Sequence, residues 1–282
     1  MEEVSPSEKI DALLLELQDE VTLSGNELLE LHSLLQVLEA EFGDITDKKE
    51  EIFYEFRELY HQVPKDSPFK IPLSQDSPAR MRDVSYYEQR NPEVLQRLLF
   101  SERQILEQWS IYFFQVILPR SFGHLNGVIQ NGGVKSLDSI NERITSRDAD
   151  GRSQPLNFMR DLLRGRFVGE TLKDVENAMK ILRETSMEQM VTILNAYHSL
   201  LFIDWRGSGE AKPYVAANFV LKIDDNLTYE LQLLTKRAAL IGKLDHPVRI
   251  KRKVELSAEL KNYLEALSWG SHLIDFREYL EK

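Results

Sequence analysis

Apolar residues return at every third or fourth position through the first sixty residues, with polar residues between them. Ile10, Leu13, Leu14, Leu17 and Val21 form one such stripe, the spacing of a helix with a single buried face. The sequence Ser24-Gly25-Asn26-Glu27 interrupts it. A serine followed three residues later by glutamate is the signature of a capping box, so a second helix is predicted to start there. It runs through Leu28, Leu31, Leu34, Leu35 and Leu38 to about Phe42. A third stretch over residues 47–61 would bury Ile52, Phe53, Phe56 and Tyr60, and two or three antiparallel helices satisfy all these stripes.

The pattern then breaks. Pro64, Pro68, Pro72 and Pro78 stand among Ser, Asp and Lys, so neither a helix nor a central strand persists there. Residues 63–90 are read as a linker or extended loop. Asn91-Pro92-Glu93 restarts the helical period with a capping residue and a proline at the first helical position. That helix carries Val94, Leu98, Ile105 and Trp109 and is expected to end before Pro119. Its aromatic residues (Phe100, Trp109, Tyr112, Phe113, Phe114) lack interleaved cations and read as core.

Beyond residue 150 the period alternates between two and about 3.6. Residues 161–168 form a short apolar run carrying arginines, and Leu172, Val175, Met179 and Leu182 mark a helix after Thr171. Strands are expected over 200–205, 214–223 and 227–234, the last two joined by the turn Asp224-Asp225-Asn226. An amphipathic helix follows Pro247, over roughly 255–280. The fold class is therefore α+β, a helical front half and a mixed back half. The predicted divisions are a helical module (1–62), the linker (63–90), a mixed domain (91–246) and a C-terminal helix (247–282).

Charge sharpens this division. The chain has 282 residues and a net charge of −11, but residues 1–60 hold 17 acids against 4 bases. The remainder carries 29 acids and 31 bases, so it is free to receive an anionic ligand. The acidic helices read as a solvated face, as a restraint docked near a cationic cleft, or as a surface for a basic partner. There is no cysteine, which excludes disulfides, thiolate metal sites and a cysteine nucleophile and fits a reducing cytoplasm. No apolar run is long enough to span a bilayer, and the start Met-Glu-Glu has no secretory pattern.

Several chemistries drop out. The chain has no Gly-x4-Gly-Lys-Ser/Thr loop, and Gly207-Ser208-Gly209 lacks the third glycine of a dinucleotide fingerprint. The six histidines show no metal-ligand spacing, and no serine sits in a Gly-x-Ser-x-Gly elbow.

Four short segments point elsewhere. They are Gly133-Val134-Lys135-Ser136 with Ser139 and Arg143 following; Asp161-Leu162-Leu163-Arg164-Gly165-Arg166; Lys212-Pro213-Tyr214 with Asn218 four residues on; and Glu230-Leu231-Gln232-Leu233-Leu234-Thr235. Asp161 and Glu230 are carboxylates on two strand-like segments, an arrangement that holds Mg²⁺ through oxygen ligands and also fits acids salt-bridged to nearby arginines. Lys135, Arg143, Arg164 and Arg166 can cover a polyphosphate, and Ser136 and Ser139 can add neutral donors. Tyr214 and Asn218 share a strand face, as do Glu230 and Gln232.

In order and spacing the four segments resemble the synthetase domain of the RelA/SpoT homologue superfamily, over roughly residues 95–245. Its patterns are Arg-Val-Lys-Ser with a following Ser-Ile and Lys, Asp-x3-Ile-Arg, Gly-Tyr-x3-His, and Glu-x-Gln-x-Arg-Thr. The resemblance implies a nucleotidyltransferase-like mixed sheet flanked by helices. It also implies a cytoplasmic, Mg²⁺-dependent transfer of pyrophosphate from ATP to the 3′-hydroxyl of GDP or GTP. On that reading Asp161 and Glu230 are catalytic and bind metal. Lys135, Ser136, Ser139, Arg143, Arg164 and Arg166 take ATP; Lys212, Tyr214, Asn218 and Gln232 take the acceptor, with Tyr214 stacking on its purine. Among the departures from the patterns, Gly133 and Leu234 stand in place of arginines, and Asn218 in place of histidine. A tRNA 3′ end or an adenine nucleotide as acceptor, and a degenerate nucleotide-binding protein, are the competing functions. Oligomerisation or partner binding through the acidic helices is a third class.

Overall fold

The computed structural model describes residues 6–70, 103–136, 138–139, 162–185, 192–198, 216–224, 227–250 and 254–281. Three helices open the chain: α1 (Pro6–Leu17), α2 (Gly25–Phe42) and α3 (Lys49–Gln62), with a 3-10 turn at Ile45–Asp47. The capping box forms as the spacing predicts. The Glu27 N–H donates to Ser24 Oγ at 3.4 Å, and the Ser24 N–H donates to Glu27 Oε2 at 2.9 Å. Leu31, Leu34, Leu35 and Leu38 are buried, as are Ile52, Phe53, Phe56 and Tyr60.

Of the expected linker, residues 63–70 are packed against the protein. Val63 and Phe69 are buried, Tyr60 Oη donates to the Phe69 carbonyl at 3.1 Å, and Phe69 meets the ring of Phe276 edge-on at 5.7 Å. The rest of that stretch lies outside the described residues.

The next helix, α4 (Arg103–Tyr112), does not end before Pro119. It widens into a π turn at Phe113–Ile117 and resumes as α5 (Leu118–Phe122). The wide turn, closed by the Leu118 N–H on the Phe113 carbonyl, seats Pro119 in a first helical turn, where its missing N–H costs nothing.

Five strands form one mixed sheet: β1 (Gly127–Val134), β2 (Leu163–Gly169), β3 (Thr192–His198), β4 (Ala217–Asp224) and β5 (Leu227–Thr235), in the order β1-β2-β5-β4-β3. Only β2 and β5 run parallel. β4 and β5 pair antiparallel, with Asp224 opposite Leu227, as the hairpin read from the sequence expects; residues 225–226 lie outside the described residues. β1 and β3 were not anticipated: β1 contains three glycines, which mask its alternation, and β3 precedes the expected strand at 200–205, which lies outside the described residues. Between and after the strands come α6 (Leu172–Thr185), α7 (Lys236–Asp245), a π turn at His246–Ile250 and α8 (Ala258–Leu280).

The expected amphipathic character of the last helix is corrected by its burial. From Tyr263 to Phe276 every residue of α8 except Glu265 is buried. Sequence periodicity fails here because α8 has neighbours all round, so no polar stripe survives. Trp269 meets Phe53 of α3 at 4.8 Å, and Phe276 meets Phe56 at 5.4 Å. One apolar core runs from Ile10 on α1 through the sheet to Phe276 on α8.

Part of the acidity of the first helices is answered within the chain. Glu27 pairs with Lys243 of α7, and Glu30 approaches Lys236 and Arg237, each at 3.5 Å. Arg277 of α8 bridges Glu41 and Glu55 at 2.7 Å each, and Lys49 holds Glu265 at 2.7 Å. At the end of β5, Thr235 Oγ1 donates to Asp275 Oδ2 at 2.5 Å and accepts the Ala238 N–H that caps α7. Arg237 donates to Asp275 at 2.9 Å and to Glu278 at 2.7 Å.

Burial pushes the Asp275 carboxyl up to about 6, outweighing the opposite pull of Arg237 and Thr235. A folded carboxyl that holds its proton more tightly than the unfolded one stabilises the fold below about pH 4, and that contribution is lost as pH rises through about 6. Glu41, held below its ordinary value by the Arg277 guanidinium, works in the opposite direction and loses its contribution on acidification. Asp275→Asn isolates the first effect. The wild type should gain on this variant by about 1.4 kcal/mol per pH unit as pH falls from 6 to 4. Denaturant unfolding of both proteins across that range checks it, and a constant difference contradicts it.

Candidate active site

Two strand periods build the open face of the sheet. On β2, Leu163, Gly165 and Phe167 turn toward the core, so Arg164 and Arg166 share the other face. On β5, Tyr229, Leu231 and Leu233 are buried, which puts Glu230 and Gln232 on that same face, both partly exposed. The parallel register then sets Arg164 beside Glu230 and Arg166 beside Gln232. Arg166 Nε donates to Gln232 Oε1 at 2.9 Å. Across the hairpin, Asn218 is the register partner of Gln232 and Val220 that of Glu230.

Asn218 is buried, and its Nδ2 donates to the Ala216 carbonyl at 3.3 Å. Lys135 follows β1 directly; its N–H donates to the Leu162 carbonyl at 2.8 Å, and the residue is buried at the end of the sheet where β2 begins. The Arg164–Glu230 pair is close to that end. Ser136 Oγ accepts the Ser139 N–H at 3.2 Å and donates to Ser139 Oγ at 2.8 Å, so both hydroxyls help shape the turn after β1. Lys135, Ser136, Arg164, Arg166, Asn218, Glu230 and Gln232 are thus assembled on or beside one half of the sheet. Arg143, Asp161, Lys212 and Tyr214 lie outside the described residues.

Gln130 of β1 was not singled out in the sequence. It is exposed and pairs in register with Arg166, so a polar row crosses four strands as Gln130, Arg166, Gln232 and Asn218. Its signal was lost in the glycine-rich strand around it.

Two of these departures, at Gly133 and Leu234, acquire a structural account. Gly133 lies at a bulge of β1 with φ +66°, held by a hydrogen bond from its N–H to Asn131 Oδ1 at 2.9 Å, and it pairs in register with Arg164. Leu234 is buried with Val168, Ala216 and Ala238, an apolar plug at the far end of the same face.

As an oxygen ligand on the open face, Glu230 fits a hard divalent cation such as Mg²⁺. Among the described residues no group of three or more histidines, cysteines and carboxylates stands together. The same residues hold no helix long and apolar enough to cross a membrane.

Small alarmone synthetase 1 from Bacillus subtilis superposes with a TM-score of 0.50 at 17% identity, over 67% of this chain and 95% of that one. A GTP pyrophosphokinase family protein from Streptococcus pneumoniae does so with a TM-score of 0.50 at 19% identity, over 67% of this chain and 92% of that one. The fold is that of the small alarmone synthetases. No protein-family model and no curated protein sequence matches the chain. A third of the chain has no counterpart in either synthetase structure.

The space around Gly133 is open: no heavy atom outside its own neighbours stands within 4 Å of a Cβ built there. The cost of a side chain is therefore backbone strain alone. Gly133→Arg, which restores the motif residue, should fold normally and lose about 1–2 kcal/mol of stability, the cost of left-handed backbone in an L-residue. Equilibrium denaturation measures it, and unchanged stability would show that the bulge relaxes freely.

Proposed function

We propose that the protein transfers pyrophosphate from ATP to the 3′-hydroxyl of a guanine nucleotide. The observation that carries this reading is the β2–β5 register, which sets Arg164 and Arg166 beside Glu230 and Gln232 on a small-alarmone-synthetase fold. Lys135, Arg143, Arg164 and Arg166 grip the triphosphate, and Ser136 and Ser139 add neutral donors. Lys212, Tyr214 and Asn218 take the acceptor, with the Tyr214 ring under its purine. Glu230 accepts the proton of the 3′-hydroxyl as that oxygen attacks the β-phosphorus; the bond to the α-phosphate bridging oxygen breaks and AMP leaves. Asp161 and Glu230 would hold Mg²⁺, which when bound neutralises charge on the phosphate oxygens. Gln232, by accepting from Arg166, fixes the guanidinium without cancelling its charge. ATP and guanine nucleotides as substrates imply a cytoplasmic protein.

Purified protein with Mg²⁺ and ATP labelled in its γ-phosphate, offered GDP, GTP, ATP or tRNA, tests the reading. Label is expected on the guanine nucleotides; transfer to tRNA or ATP alone would reassign the acceptor, and transfer to none would reject the enzyme.

Asp161→Asn and Glu230→Gln each remove a carboxylate charge at nearly constant size and should each lower turnover by about 10²-fold or more. Turnover within about tenfold of wild type in either would show the centre to be elsewhere.

Lys135→Ala and Arg166→Ala each withdraw a cation from the polyphosphate and should raise the ATP concentration needed for half-maximal rate by about tenfold. Unchanged ATP dependence in both would make these side chains structural.

A further inference from the structure

The strand that carries both arginines rests on an unusual support. Gly165 separates Arg164 from Arg166 and turns toward the core, where the motif Asp-x3-Ile-Arg has isoleucine. The missing side chain is replaced from the neighbouring strand. Tyr229 of β5 is fully buried beneath it, and a Cβ built on Gly165 would stand 2.0 Å from the Tyr229 hydroxyl and 3.0 Å from its Cζ. Phe113, at the start of the π turn, stacks on the Tyr229 ring at 4.6 Å and 19°. The hydroxyl finds no hydrogen-bond partner among the described residues, and burial raises its pKa far above the ordinary phenol value. A buried hydroxyl without a partner costs free energy, so it is retained here as volume rather than as a donor.

We propose that Tyr229 is a positioning residue for Arg164 and Arg166: its ring, wedged between Phe113 and the bare backbone of Gly165, sets where the arginine strand sits against β5. A close-packed interior transmits such a wedge, because it leaves no void into which β2 can settle. The glycine and the tyrosine form one unit, a large-for-small exchange across two adjacent strands. Its effect on nucleotide binding rests on the reading above that these arginines grip a triphosphate.

Proton exchange at the Arg166 Nε–H, followed by NMR in the full chain labelled with ¹⁵N-arginine, reads the position without any nucleotide. In the wild type the bond to Gln232 makes this exchange slow. Gly165→Ala forces its new methyl into the tyrosine hydroxyl and should accelerate exchange by about tenfold, the worth of one charge-assisted hydrogen bond. Tyr229→Phe alone should keep the slow exchange. The double variant Gly165→Ala with Tyr229→Phe should return toward the wild-type rate, since the Cζ at 3.0 Å and the Gln130 carbonyl at 3.3 Å then leave room for small adjustments. Slow exchange in Gly165→Ala, or equal acceleration with and without the hydroxyl, overturns the proposal. Should Gly165→Ala fail to fold, Tyr229→Leu removes the ring while keeping an apolar side chain; unchanged exchange in that variant overturns it equally. ATP calorimetry in parallel should follow the same order, weakened in Gly165→Ala and recovered in the double variant. A wild type that binds no ATP rejects the proposed function, while the exchange rates still decide the role of Tyr229.

Discussion

Helix α8 has no face left for water between Tyr263 and Phe276, and the rest of the fold is arranged to cover it. One side lies against Phe53, Phe56 and Phe69 from the N-terminal segment. The other meets α7 and the end of β5 through Thr235, Arg237 and Asp275. A helix this apolar cannot stand beside the sheet alone; removing either cover would expose several large side chains at once, each worth about 1.5–3 kcal/mol in burial. The helices preceding the synthetase-like segments therefore share one core with the sheet and α8.

The charge asymmetry follows from the same arrangement. The N-terminal helices lie against α7 and α8, and their glutamates meet Lys236, Arg237, Lys243 and Arg277. These pairs are mostly half exposed, so each adds little to stability, yet together they offset part of the acidic charge where the first helices meet α7 and α8. The exception is Arg237 with Asp275, a buried pair whose partners would be costly to leave alone. It joins the strand carrying Glu230 to the central helix through Thr235, which is both a link to Asp275 and the cap of α7.

What could be read from the sequence divides along physical lines. Helices with one wet face announced themselves: the capping box at Ser24, the leucine stripe of α2, the hairpin of β4 and β5. Elements whose pattern is set by tertiary contacts did not. β1 has glycines where alternation should be, α8 is buried on nearly every side, polar residues included, and the helix through Pro119 continues by way of a π turn. The shared faces of Arg164 with Arg166 and of Glu230 with Gln232 were legible from residues two apart on β2 and β5, because strand period alone aligns them. The parallel register that couples the two strands was not, since nothing local specifies which residue of β5 meets Arg164. Tyr229 likewise gave no sign, because its partner Gly165 is distant in sequence.

The structure also separates two kinds of arginine that look alike in the sequence. Arg237 and Arg166 are both partly buried and both hydrogen-bonded across elements. Arg237 is tied to Asp275 and Glu278, carboxylates that cancel its charge and make it a structural cross-link. Arg166 is tied to Gln232, an amide that fixes the plane of the guanidinium and leaves the charge whole. A neutral partner is what an anion-binding arginine needs, since orientation is then set in advance and the positive field is not spent internally. On the proposed function, with Gly133 and Leu234 in place of two motif arginines, more of the phosphate grip falls to the cations that are present, and a fixed guanidinium would lose less conformational freedom on taking a phosphate. The amide at 232, the wedge at 229 and the bare backbone at 165 all act on that one side chain. On the proposed function, a site with fewer cations depends more on each of those present being held in place.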